Sequence, residues 1–149
     1  MSSHAPAALH GIVQGLHHVA IAVQNLDEAR LAYEGALGLS ASEPEYVPDQ
    51  KVRVLVLYAG TQRIELVEPA SPDSPITKFL ETRGPGIHHV AWKVANCAAA
   101  IAQAKAKGLR MIDEAPRPGS HHTTIAFLHP KSTGGVLMEL VQDPPNAAH

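Results

Sequence analysis

Cysteine is almost absent. Cys97 is the one thiol in 149 residues, which excludes an internal disulfide and agrees with a reducing cytoplasm. A basic excess is absent too, since the net charge of −2 gives no positive field to hold nucleic acid. No apolar run reaches the ~18 residues that a membrane span requires. The first 14 residues, MSSHAPAALHGIVQ, contain neither Arg nor Lys nor a long apolar stretch, so they read as a loose start and not as a signal or transit peptide. Neither a P-loop nor a GxGxxG turn occurs, which leaves a nucleotide-binding fold without support. What is left is a chain of 45% hydrophobic and 17% charged residues, a globular profile for a single domain long enough to bury a core.

What the chain does have is an internal near-repeat. Residues 15–23 read GLHHVAIAV and residues 86–94 read GIHHVAWKV, so His18 and His89 hold equivalent places 71 positions apart. Each copy later sets a glutamate among strand aliphatics, Glu65 in RIELV and Glu139 in VLMELV, 74 positions apart.

The punctuation around these motifs predicts two βαβββ modules. In module one (about 15–70) the HHVAIAV strand leads to a helix capped by Asn25, with Glu28 three residues on. Leu26, Ala29, Tyr33 and Leu37 fall at helical spacing and Gly38 ends the helix. Strands are predicted at 40–47, 51–58 and 62–68. A linker (about 71–85) holds a short helix opened by Ser74-Pro75. Module two (about 86–142) repeats the plan: strand, a helix from Asn96 stopped by Gly108, a short strand over 109–113, the loop APRPGSHH, then TTIAFLHP and GGVLMELVQ. The tail DPPNAAH reads as frayed. The fold class expected is α+β, two tandem βαβββ modules forming an eight-stranded open, barrel-like sheet around a metal cleft.

Strand side chains alternate between faces. His18 therefore sides with Ala20 and Ala22, while His17, Val19, Ile21 and Val23 form an aliphatic face to pack under the helix. The alanine face is left to line a cleft. His89, Ala91 and Lys93 sort the same way, and Glu65 and Glu139 each face away from their aliphatic neighbours. His17 and His88 are thereby assigned to packing, and Cys97, among alanines at a helix start, to filling space. A carboxylate buried without a partner costs several kcal/mol, and a cation removes that cost. The bland alternative, a structural His and an Arg-paired Glu, loses weight when four residues recur in matched positions. Two neutral imidazoles and two carboxylates make a net-neutral site for Co²⁺, Mn²⁺, Ni²⁺, Fe²⁺ or Zn²⁺, and suit these better than Mg²⁺ or Ca²⁺. Sulfur is absent from the set, and an octahedral ion would keep two positions open, a catalytic arrangement.

The stretches LHHVAIAV, RIELVEPASPDSPITKFLE, GIHHVAWKV and IAFLHPKSTGGVLMELVQ resemble the vicinal oxygen chelate superfamily (glyoxalase I, extradiol dioxygenases, bleomycin-resistance proteins), and within it the methylmalonyl-CoA epimerases. The resemblance runs over about residues 15–142, and HPKSTGGVLMEL is its most specific part. It implies metal ligands at His18, Glu65, His89 and Glu139, with Co²⁺ the foremost candidate. It also implies a reaction that interconverts (2R)- and (2S)-methylmalonyl-CoA through an enolate. Some members carry Gln at the second ligand position and an extra Glu on the preceding strand as a base; here Glu65 fills the first place and Val54 the second. Glu139 and Glu65 are then the expected bases, as paired glutamate ligands are thought to act in glyoxalase I. His121, Lys131, Ser132 and Lys93 are the expected contacts for the acyl-CoA, and short helices with apolar edge strands suggest a homodimer. A glyoxalase-like lyase on a thiol conjugate, an extradiol dioxygenase and a non-catalytic small-molecule binder are the other readings of the same pattern.

Overall fold

The computed structural model describes residues 11–145. These divide into two compact units, one running from His18 to His88 and the other from His89 onward together with the segment up to His17. Both mix strands with few helices. The expectation for residues 1–10 lies outside the described residues.

In the first unit, β1 (Gly15–Ala22) is followed by α1 (Leu26–Arg30), β2 (Ser40–Ala41), β3 (Glu45–Val47), β4 (Val52–Ala59), β5 (Gln62–Pro69) and α2 (Pro75–Arg83). β2 and β3 both pair with β4, β4 pairs antiparallel with β5, and β5 runs parallel to β1. β2 and β3 are the two ends of the strand predicted at 40–47. Pro44 lies in the gap, where it cannot donate to the ladder.

Alternation sorts the core into two clusters. Leu55, Leu57, Leu66, Val23, Ile21 and Ile64 pack with Leu26 and Ala29 of α1 and with Tyr33 just beyond it. Ala22, Val52, Val54, Val56 and Val67 form the opposite cluster with Ile76, Phe79 and Leu80 of α2. The aliphatic face of β1 packs under α1 as expected. The alanine face, expected to line a cleft, is covered at its Ala22 end by α2. A fully buried Leu contributes about 1.5–3 kcal/mol, so Leu55, Leu57 and Leu66 anchor this unit.

α1 begins as the sequence indicates: Asn25 Oδ1 accepts from the Glu28 N–H at 2.9 Å. It ends otherwise. Residues Leu31–Ala36 widen into a π-helical segment, in which the Leu37 N–H reaches Ala32 O at 2.9 Å. The wider turn rotates the last residues off the 3.6-residue period, so Leu37 is 69% exposed and does not join the apolar face. Gly38, at φ 74°, then stops the chain in the left-handed region.

The second unit contains β6 (Gly86–Lys93), α3 (Cys97–Ala106), β7 (Arg117–Pro118), β8 (Thr124–Leu128) and β9 (Met138–Gln142). β6 runs parallel to β9, and β9–β8–β7 are successively antiparallel. α3 is regular; Cys97, Ala100, Ile101 and Ala104 are buried on it against Val94, Met111, Ala126, Leu128 and Leu140. Three expectations need correcting. The strand at 109–113 reduces to a single bridge between Met111 and Leu128, because Asp113 Oδ2 takes the Phe127 N–H at 2.8 Å and so replaces a ladder bond. Within the tail, of which residues 146–149 lie outside the described residues, Asp143 is tied down, its Oδ1 2.8 Å from His17 Nε2. The loose start is held from Gln14, whose N–H donates to Lys93 O at 2.8 Å. Among the described residues no helix is long and apolar enough to cross a membrane.

Candidate functional site

Each unit carries one buried histidine–glutamate pair. In the first, His18 Nδ1 lies 3.3 Å from Glu65 Oε2. In the second, His89 Nε2 lies 3.1 Å from Glu139 Oε1. All four residues are at most 7% exposed. The pairs sit in identical register on their parallel strands. Ala20, two residues after His18, is level with Glu65, and Ala91, two after His89, is level with Glu139. Parallel alignment with this two-residue offset puts imidazole and carboxylate side by side on one face.

The same bonds fix both glutamate strands. The Val23 N–H donates to Val67 O at 2.9 Å and the Val94 N–H to Val141 O at 2.9 Å, which closes strand to strand three residues after each alanine. Three residues beyond each glutamate, a side chain takes the first N–H of the adjacent helix. The Leu26 N–H donates to Glu68 Oε2 at 2.9 Å, and the Cys97 N–H to Gln142 Oε1 at 2.7 Å. These N–H groups have no partner within their own helix, so the acceptor satisfies them and locks helix to strand. Sequence reading missed this pair of latches, although ELVE and ELVQ spell them in register.

The duplicated neighbours behave differently. His17, assigned to packing, is buried in an ion pair with Asp143. His88 stacks edge-on against Phe79, with centroids 4.9 Å apart. Val54 is buried in the α2 cluster on the Glu65 face, and the carboxylate opposite it is Glu45, its partner on β3.

The residues expected to hold substrate all fall in the second unit. Lys93 Nζ is 3.9 Å from Asp143 Oδ2, on the strand face shared with His89. His121 lies in the short turn Ser120–His122, where both His121 and His122 have positive φ, 54° and 61°. Such backbone costs about 1–3 kcal/mol per residue and collects at functional loops. The turn is set by Gly119, where a Cβ would come within 2.5 Å of Thr123 Oγ1 and 2.8 Å of Ile125 Cγ2. Lys131 and Ser132 lie in the turn Pro130–Ser132. Ser132 Oγ accepts from the Arg110 N–H at 2.9 Å, which gives it a structural task. Cys97 is fully buried and its thiol is pushed up to about 11 by burial, with Glu139 and Asp113 adding to it, so space-filling is the role left to it.

Residues 17–127 match the model of the Glyoxalase/Bleomycin resistance protein/Dioxygenase superfamily. The chain belongs to this superfamily. Human mitochondrial methylmalonyl-CoA epimerase is 41% identical over 128 residues, 85% of this chain and 73% of that one. The ethylmalonyl-CoA/methylmalonyl-CoA epimerase of Cereibacter sphaeroides is 39% identical over 129 residues, 85% of this chain and 96% of that one. Among solved structures, a Streptomyces coelicolor methylmalonyl-CoA epimerase variant in complex with 2-nitronate-propionyl-CoA aligns with a TM-score of 0.86 at 33% identity, over 92% of this chain and 99% of that one. The α+β architecture read from the repeat is the one these superfamily members share.

The donor set suits a divalent cation. Each unit offers one imidazole nitrogen and one carboxylate oxygen, buried together and without sulfur. Two buried carboxylates call for positive charge, and mixed N and O donors favour first-row transition ions.

Proposed function

We propose that this chain is an epimerase that interconverts (2R)- and (2S)-methylmalonyl-CoA, with His18, Glu65, His89 and Glu139 holding one divalent cation, foremost Co²⁺. The observation that carries the reading is the recurrence of a buried histidine–glutamate pair at the same register in both units. The named epimerases among the relatives supply the substrate class.

When bound, the cation supplies Lewis-acid stabilisation of the negative charge that develops on the thioester oxygen. The side chains do the proton work. The C2 proton lies between a carboxylate and a thioester and is acidified by both. Glu139 takes it from one face of the substrate, and Glu65 returns a proton to the opposite face of the planar enolate. Reversal exchanges the two roles, so each carboxylate must stand ready in either protonation state. Val54 supplies no base, which leaves Glu65 to act as both ligand and base. His121, Lys131, Ser132 and Lys93 are the contacts proposed for the rest of the acyl-CoA. Cys97, buried and reduced, agrees with a cytoplasmic setting. Leu31 and Leu37, 73% and 69% exposed at the two ends of the π-helical segment, fit a homodimer contact, and sedimentation velocity checks that assembly.

The test is deuterium incorporation at C2 of methylmalonyl-CoA in D₂O, with and without Co²⁺. Co²⁺-dependent incorporation is expected. Its absence would overturn the reading, and turnover of a thiol conjugate in its place would favour the glyoxalase-like alternative.

A further inference from the structure

Glu139 shares its sheet face with an arginine that the reading above leaves unused. β8 and β9 place Phe127 directly opposite Glu139 and Ile125 opposite Val141, and β7 places Arg117 opposite Ile125. Directly opposed residues of an antiparallel ladder project to the same side. Arg117, Ile125, Phe127, Val141 and Glu139 therefore line one face of the second unit. The contacts follow this order. The Phe127 ring meets the His89 ring edge to face, centroids 5.3 Å apart and planes at 87°. The Arg117 guanidinium carbon lies 5.9 Å from the centroid of the same Phe127 ring. One aromatic ring thus separates the guanidinium from His89.

The guanidinium is also held in place. Asp113 Oδ1 is 3.7 Å from Arg117 Nη1, while Asp113 Oδ2 is committed to the Phe127 N–H. Asp113 is therefore fixed to the strand that carries the ring, and Arg117 is steadied by both the ring and the carboxylate. The Arg117 side chain is still 35% exposed, so a ligand can reach it.

We propose that Arg117 binds the free carboxylate of the substrate's acyl group and sets the preference for malonyl-type over simple acyl thioesters. The proposal rests on the epimerase reading. A planar fork of N–H donors matches a carboxylate in a way that a lysine ammonium does not. The phosphates of coenzyme A lie a full pantetheine arm from the thioester, whereas the free carboxylate of a malonyl group is one carbon from it. A cation one ring away from His89 therefore suits the near carboxylate.

The experiment compares Kd values for malonyl-CoA, propionyl-CoA and free coenzyme A on the Co²⁺-loaded full chain, as wild type, Arg117→Gln and Arg117→Lys. Propionyl-CoA carries the thioester and the phosphates and lacks only the second carboxylate. In Arg117→Gln the preference for malonyl-CoA over propionyl-CoA is expected to fall by about tenfold to a hundredfold, the span of a lost charge-assisted hydrogen bond. Propionyl-CoA and coenzyme A should bind unchanged within about twofold, and Arg117→Lys should lie between. Equal losses for all three ligands would place Arg117 on the phosphates or in the fold, and an unchanged preference would leave it a purely structural ion pair; either result overturns the proposal. Failure of the epimerase reading shows separately, as wild-type protein without Co²⁺-dependent C2 exchange.

Discussion

Set side by side, the two units agree around their glutamates and differ at the far ends of their helices. Around Glu65 and Glu139 the strand register, the strand-closing bond and the helix latch repeat, and the Asn caps of α1 and α3 match at 2.9 Å each. Away from them the resemblance stops. α1 widens into a π-helical segment that leaves Leu31 and Leu37 exposed, while α3 stays regular with Cys97, Ala100, Ile101 and Ala104 buried along it. The latches differ in charge as well. Glu68 also takes Arg53 Nη1 at 2.9 Å, whereas Gln142 is neutral. His17 finds a carboxylate and His88 an aromatic ring. The duplicated geometry is thus retained where it places an imidazole and a carboxylate together, and is relaxed elsewhere.

The largest break in this comparison should come from the glutamates themselves. Glu139→Gln and Glu65→Gln are each expected to lower C2 deuterium exchange by about 10²–10⁴-fold, the usual weight of a positioned acid–base group, as read by mass spectrometry on metal-loaded protein. Glu45→Gln is the control. Glu45 stands opposite Val54, and its substitution should leave exchange within about twofold. A collapse there with Glu65→Gln unimpaired would move the second base to β3.

Core truncations come next. Leu57→Ala in the first unit and Leu140→Ala in the second remove side chains with almost no exposure, and each should cost about 2–5 kcal/mol in urea unfolding. A loss confined to one of the two would show that the clusters do not carry equal weight.

The latches rank third. Gln142→Ala orphans the buried Cys97 N–H and Glu68→Ala orphans that of Leu26, each at about 1–3 kcal/mol. Glu68→Gln keeps an acceptor and gives up only the bond to a half-exposed Arg53, worth about 1 kcal/mol or less. If Glu68→Gln matched Glu68→Ala, the charge and not the latch would be what matters in the first unit.

A pH dependence peculiar to the second unit completes the comparison. The Cys97 thiol ionises near 9.0 when unperturbed and near 11 in the folded chain. The folded state therefore holds its proton longer, so stability is intact below about pH 9 and declines as pH rises toward 11. Urea midpoints at pH 8 and pH 10.5 check this: the fall should be smaller in Cys97→Ala, which keeps only the titration of the lysines and tyrosines. The thiol should also resist alkylation at pH 8.

Much of this was legible in the residues. Asn25, Asn96 and Ser74 cap the helices they precede, Gly38 and Gly108 stop theirs, and alternation puts His18 with Glu65 and His89 with Glu139 because a period of two leaves strands little freedom. What escaped was set by tertiary contacts. Leu37 fits helical spacing, but a single widened turn displaces it. Residues 109–113 look extended, yet the Asp113 side chain takes a strand N–H that would have extended the ladder. His17 and His88 are the same residue in the same motif, and only Asp143 and Phe79, both remote in sequence, distinguish them. Arg117 reads from the residues only as a loop donor suited to a thioester arm or phosphate; that it shares a face with Glu139 is set by the two-residue strand pairing with β8.

Co²⁺ titration calorimetry on the wild type, His18→Ala and His89→Ala tests the proposal that the two pairs serve a single ion. One Co²⁺ per chain is expected, with binding abolished or weakened by orders of magnitude in either variant. Two independent Co²⁺ sites per chain, or undiminished binding after loss of one histidine, would contradict it.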